Sequence, residues 1–164
     1  MTSEHVRIER DGAIGRITFD APERLNAVDP PMLRALVAAI EACDADAEVR
    51  VIALRGEGRA FCAGADLTRS SDGVAQIPVE TALGVGAVSR AIIATSTPTV
   101  ALVPGVAAGA GVSMALACDY VLAGESSRFV LAFGAIGLMP DAGGYRTRRG
   151  QHRPRSGASS RPHR

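Results

Sequence analysis

Ala60-Phe61-Cys62-Ala63-Gly64-Ala65-Asp66 is the stretch on which the fold of this chain turns. It follows the apolar run Val51-Ile52-Ala53-Leu54 and the turn-rich Arg55-Gly56-Glu57-Gly58-Arg59, so a buried strand ends here. Four of the seven side chains are Ala or Gly, which leaves the backbone bare, and its N–H groups can approach a ligand closely, as a phosphate or an oxyanion requires. A second stretch of the same character, Pro104-Gly105-Val106-Ala107-Ala108-Gly109-Ala110-Gly111, follows another apolar run. The two are read together as one site made of main chain.

Outward from these stretches, apolar runs alternate with helical patterns. Val6 to Arg10 and Ile14 to Phe19 alternate with period two around Asp11-Gly12, which predicts a hairpin. Asp29 before Pro30 and Pro31 is a helix start, with Met32, Leu33, Leu36, Val37 and Ile40 on its inward face. Val49 to Leu54, Thr99 to Val103 and Asp119 to Ala123 read as buried strands, with Phe129 to Phe133 a further extended piece. Between them, Val79 to Thr95 is a helix carried by Leu83, Val85, Val88, Ile92 and Ile93, and Val112 to Ala117 a short apolar one. Leu67 to Pro78 is polar and reads as a mobile loop. Strands that are continuous apolar runs, alternating with helices, predict an α/β domain with a parallel sheet covered on both faces.

At 164 residues the chain suits one domain. No apolar run is long enough to span a membrane and the N-terminus has no signal-peptide pattern, so a cytoplasmic location is expected. All eighteen basic residues are Arg, a bias that points to a GC-rich coding sequence. Charge is divided unevenly: residues 1–145 hold eleven Arg against seventeen acids, whereas residues 146–164 hold seven Arg and no acid. The segment 145–164 is therefore set apart from a core domain at 1–144. With hardly an apolar side chain it cannot bury a face, and it reads as disordered or as the product of a shifted reading frame. A basic tail for nucleic acid or acidic lipid, making the chain an interaction protein, is the competing reading; the lack of Lys and aromatics argues against it.

Other groups carry less. Cys43, Cys62 and Cys118 have no CxxC spacing and read as buried thiols rather than nucleophiles. His5, His152 and His163 lie at the ends of the chain, so neither a triad nor a metal site is assembled. Gly105 to Gly111 does not have the GxGxxG spacing of a dinucleotide loop. Asp44, Asp46 and Glu48 read as a solvated acidic face at a helix end.

Four blocks, taken in order, resemble the crotonase family of enoyl-CoA hydratases and isomerases. They are Glu23-Arg24-Leu25-Asn26-Ala27-Val28, Arg59 to Leu67, Gly105 to Gly111 continuing to Ala117-Cys118-Asp119-Tyr120, and Gly137-Leu138-Met139-Pro140-Asp141-Ala142-Gly143-Gly144. The resemblance covers residues 6–144. It implies a crotonase-like spiral of repeated ββα units, here without the C-terminal helical part, and an acyl-CoA thioester as partner. Coenzyme A then enters as part of the substrate, with no separate cofactor, no nucleic acid and no membrane; the family's trimers or hexamers are doubtful for so short a chain. By position, Ala63 and Ala110 are the backbone donors to the thioester oxygen. Arg24, Ala27, Ala63, Gly64, Ala65, Asp66, Leu67, Gly109 and Gly111 line the substrate and its CoA arm, with Asp66 expected to cap a turn.

The chain departs from the family's hydratases where they carry two glutamates, since those positions hold Ser113 and Phe133. Neither exchanges a proton at neutral pH. Asp141 matches the aspartate of the family's isomerases, and a carboxylate beside an oxyanion hole suffices to move a proton from one carbon to another; its alternative reading is a helix cap. Isomerisation is thus expected over hydration, with a catalytically inactive homologue or weak CoA binder as the alternative.

Overall fold

The computed structural model of the chain describes residues 5–67 and 79–131. The hairpin forms as expected: β1 (Val6–Asp11) and β2 (Ile14–Phe19) pair antiparallel, with Val6 opposite Phe19 and Asp11 opposite Ile14. β2 then pairs parallel with β3 (Val51–Gly56), β3 with β5 (Thr99–Val103), and β5 with β7 (Tyr120–Ala123), giving the order β1-β2-β3-β5-β7.

A second sheet has no counterpart in the periodicity of the sequence. β4 (Ala60–Cys62), β6 (Val106–Ala108) and β8 (Arg128–Val130) form a three-stranded parallel sheet in the order β4-β6-β8. Two of its strands are the small-residue stretches themselves. Three residues are too few to show alternation, which is why they read only as bare backbone. The aromatic rings of Phe19 and Phe61 meet edge-on, centroids 5.1 Å apart, and join one sheet to the other.

α1 (Pro30–Ala45) starts where Asp29 and the two prolines require it, with the Asp29 carboxylate accepting the Met32 N–H at 2.9 Å. It lies against β1, β2, β3 and α2 and buries Met32, Leu33, Leu36, Ala39, Ile40 and Cys43. α2 (Val79–Ala94) lies against α1 and against α3 (Ala110–Ala117), whose eight residues are almost wholly buried. Burial of the aliphatic and aromatic side chains shared by these elements is the main stabilising term of the fold. Among the described residues no helix is long and apolar enough to cross a membrane.

Three sequence expectations are corrected. Leu83 and Ile93 do not face inward: they are 66% and 59% exposed, and α2 buries Thr81, Val85, Val88, Ser89 and Ile92 instead. α2 is apolar on more than one face, so composition could not select the side that meets α1 and α3. β7 is the last strand of its sheet among the described residues, and Tyr120 and Leu122 on it are exposed rather than buried. Asp44 is no free surface acid, because it gathers the turn after α2: it accepts the hydroxyl of Thr95 and the backbone N–H groups of Ser96, at 3.1 Å, and Thr97, at 2.9 Å. The loop expected at 67–78, beyond Leu67 itself, and the tail at 145–164 lie outside the described residues.

Candidate oxyanion site

The site is built where β4 leaves its sheet and α3 begins. β4 runs into Ala63 to Asp66, and this segment is laced to the loop that precedes α1. The Ala63 N–H donates to the Leu25 carbonyl at 3.0 Å, the Val28 N–H to the Gly64 carbonyl at 2.8 Å, and the Asp66 N–H to the Val28 carbonyl at 2.9 Å. Ala63 is therefore not a donor to a ligand, contrary to the sequence reading, because its N–H is spent on the neighbouring loop.

The geometry leaves a different amide free. Gly64 has φ +102, a conformation that favours glycine, and it breaks the alternation of an extended strand, in which residues 63 and 65 would face the same way. The C=O and N–H of one trans peptide unit point in opposite directions. Since the Gly64 carbonyl faces Val28, the Ala65 N–H faces away from the loop and meets no acceptor among the described residues.

Ala110 is the first residue of α3, and its N–H belongs to the orphan donors of a helix start. The Gly109 carbonyl accepts from Val112 at 3.1 Å and from Ser113 at 3.3 Å, so those two amides are spent, whereas that of Ala110 has no acceptor among the described residues. Ala110 takes the place of a family glycine without strain, since its φ is not positive; the left-handed turn falls on Gly109 at φ +49. The Gly109 N–H is held by the Val130 carbonyl of β8 at 3.0 Å. The N-terminal end of the helix dipole adds positive potential at this point.

Bare backbone brings the two amides together. A Cβ on Gly64 would lie 3.0 Å from the Ala108 carbonyl oxygen and 3.7 Å from the Ala110 nitrogen. A Cβ on Gly111 would lie 2.3 Å from the Cys62 carbonyl oxygen, so α3 can sit on β4 only with glycine there. The pairing of the two small-residue stretches thus follows from steric need. Ser113 is buried in α3, one turn along from Ala110.

The remaining residues are placed as follows. Ala27 is half-buried in the loop, its N–H on the Arg24 carbonyl at 3.1 Å, and Leu67 is exposed at the end of the segment. Arg24, expected at the CoA arm, sends Nη1 to Asp66 at 2.8 Å and to Asp29 at 3.2 Å. Asp66 accordingly takes an ion pair with Arg24. The Cys62 thiol receives the Gly64 N–H at 3.4 Å and is pushed up to about 12 by burial, which keeps it protonated and excludes it as a nucleophile. Asp141 and Phe133 lie outside the described residues. Among the described residues no cluster of three or more His, Cys, Asp or Glu could hold a metal ion.

Asn26 is the residue that sequence reasoning passed over. Its side chain is fully buried, accepts the Ala21 N–H and donates to the Glu57 and Ala60 carbonyls, all at 2.9 Å. Leu25 and Asn26 are the only non-glycine residues with positive φ among those described, at 55 and 58. An Asn in a loop, a residue type that tolerates this conformation, was the available signal.

The two amides without an acceptor among the described residues fall in two of the sequence blocks, and the sequence model of enoyl-CoA hydratase/isomerase matches residues 9–150. The chain belongs to the enoyl-CoA hydratase/isomerase family. A probable enoyl-CoA hydratase of Rhodobacter capsulatus is 44% identical over 147 residues, covering 88% of this chain and 55% of the relative. The 1,2-epoxyphenylacetyl-CoA isomerase of Escherichia coli is 38% identical over 135 residues, 78% of this chain and 50% of the relative. Among solved structures, an enoyl-CoA hydratase from Mycobacterium avium subsp. paratuberculosis superposes with a TM-score of 0.77 at 38% identity, covering 87% of this chain and 53% of that one. One from Polaromonas reaches 0.80 at 33% identity, covering 92% and 59%. The fold is the α/β crotonase fold of these enzymes, and the chain spans about half the length of the curated relatives it matches.

Proposed function

We propose that this chain binds an acyl-CoA thioester and stabilises its enolate, and that it moves a proton between carbons of the acyl chain rather than adding water. The observation that carries the proposal is the pair of backbone amides at Ala65 and Ala110 that meet no acceptor among the described residues, on segments drawn together at Gly64 and Gly111. When a proton leaves the carbon next to a thioester, negative charge moves onto the carbonyl oxygen. Fixed donors at that oxygen lower the barrier, and loss of one costs roughly 2.7–4 kcal/mol.

The preference for isomerisation rests on Ser113. It stands where the resemblance implies a hydratase glutamate, and a hydroxyl cannot orient and deprotonate water at neutral pH as a carboxylate does. Asp141 is the proposed acid and base, taking the proton from C2 of a 3-enoyl-CoA and returning it at C4. That one relative is named an isomerase supports this reading, while the other named relatives are hydratases. Coenzyme A is part of the substrate, and Ala27, Leu67 and the face of Gly109 and Gly111 are proposed to flank it. The second reading, acyl-CoA binding without turnover, is favoured by the same Ser113, which leaves Asp141 as the only carboxylate assigned to proton transfer.

The test is direct. Protein incubated with a 3-enoyl-CoA is expected to produce the conjugated 2-enoyl thioester, read by its ultraviolet absorbance, and Asp141→Asn is expected to abolish the reaction while acyl-CoA still binds. Equal activity in the two proteins would remove Asp141 from the mechanism, and hydration without isomerisation would overturn the reaction class.

A further inference from the structure

We propose that Arg24, with the two buried carboxylates it bridges, is a positioning group that fixes the direction of the Ala65 N–H. The proposal rests on the reading of Ala65 as an oxyanion donor. Ala65 is held on either side by backbone bonds to Val28, through Gly64 and Asp66. Its aim is therefore no firmer than the loop to which it is laced, and that loop passes through two residues in the left-handed region, Leu25 and Asn26.

Arg24 ties this loop at both ends. Its Nη1 lies 2.8 Å from Asp66, the residue after Ala65, and 3.2 Å from Asp29, whose other carboxylate oxygen caps α1 through the Met32 N–H at 2.9 Å. One guanidinium nitrogen thus joins the oxyanion segment to the N-terminus of a helix packed on the main sheet. Both carboxylates are withdrawn from water, with side chains 5% and 6% exposed, so the ion pairs act in a low-dielectric setting where direction matters more than at a surface.

The same geometry argues against a direct contact between Arg24 and the substrate. Nη1 is held by Asp66 and Asp29, and Nε lies 3.9 Å from the Glu23 carboxylate, so the charge is matched by carboxylates of the framework. Arg24 spends its charge on the framework. A guanidinium held in that way biases the one peptide unit whose orientation the chemistry needs, and a small misplacement of such a donor lowers turnover without weakening binding.

A carbonyl-labelled, unreactive acyl-CoA such as [1-13C]cinnamoyl-CoA tests this by the carbon resonance of the bound thioester, with affinity measured separately by calorimetry. Wild-type protein should bind the probe and move the carbonyl signal downfield. Asp66→Asn and Arg24→Met should bind with unchanged affinity, lose most of that shift, and lower kcat on a 3-enoyl-CoA roughly tenfold to a hundredfold at constant KM. The double variant should be no worse than either single one, because both break the same bridge. If Asp66→Asn does not fold by circular dichroism, Arg24→Met and Asp66→Glu carry the comparison. A full shift in the folded variants overturns the proposal. So does a loss of affinity with the shift intact, since that would make Arg24 a contact to the CoA arm. A wild-type protein that binds the probe without any shift would instead overturn the oxyanion reading beneath it.

Discussion

Gly64 decides which amide the site offers, through a single backbone angle. With φ at +102 and an absent Cβ that would otherwise press on the Ala108 carbonyl oxygen at 3.0 Å, it turns the Ala65 N–H away from Val28. Gly64→Ala should destabilise the protein by roughly 1–3 kcal/mol and, by turning the donor away, lower turnover roughly 10²- to 10³-fold. Gly12 also has positive φ, at +58, but faces open space at the tip of the β1–β2 hairpin, so Gly12→Ala should cost stability and leave turnover intact. Urea unfolding and steady-state kinetics on the pair separate the two effects. The sequence showed that a bare-backbone site lay between Ala60 and Asp66, but it could not show the sign of one φ. The resemblance implies Ala63 by position, and the bond from its N–H to Leu25 is the reason the proposed donor is Ala65.

At the scale of elements, α2 and its following turn carry two predictions. Ile92 and Ile93 are adjacent, yet one is 2% exposed and the other 59%. Ile92→Ala should cost roughly 2–5 kcal/mol, as large-to-small changes in a core do. Ile93→Ala should stay within about 0.5 kcal/mol, and chemical denaturation of the two variants checks the face on which α2 packs. The turn after α2 is fastened to the end of α1 by Asp44, whose carboxyl is lowered to about 2, first by the Thr95 hydroxyl, then by Thr97 and Ser96. A group whose pKa is lower in the folded protein than in the unfolded chain binds more protons when unfolded. Its stabilisation is therefore present above the ordinary value of 3.8 and is lost as the pH falls toward about 2. The urea midpoint of the wild type should drop through that window, and Asp44→Asn should start lower at neutral pH and fall less steeply. Helices and long strands were legible because caps and apolar periods are local, as at Asp29-Pro30-Pro31. The inward face of α2 and the exposure of β7 were not, since both depend on neighbours distant in sequence.

At the scale of the whole molecule, the described residues form two sheets, and the proposed site lies where β4 and α3 meet. The five-stranded sheet and its helices follow from apolar runs that any reader of the sequence can find, while the three-stranded sheet is assembled from segments whose information lies in what they lack. Ala60 to Cys62 and Val106 to Ala108 pair closely and admit α3 through bare backbone: Gly111 admits no Cβ against Cys62, and a Cβ on Gly105 would lie 2.0 Å from the Arg59 carbonyl oxygen. Recognition of the family came from the spacing of these blocks, yet the same small residues conceal which amides are spent and which are free. That distinction is what the reading of function depends on. A 1H–15N amide spectrum of the protein, titrated with an acyl-CoA thioester, tests it most directly. The account predicts that the Ala65 and Ala110 amide protons move downfield together on binding while Ala63 stays in place; movement of Ala63 with Ala65 unmoved, or binding that leaves both Ala65 and Ala110 unmoved, would contradict it.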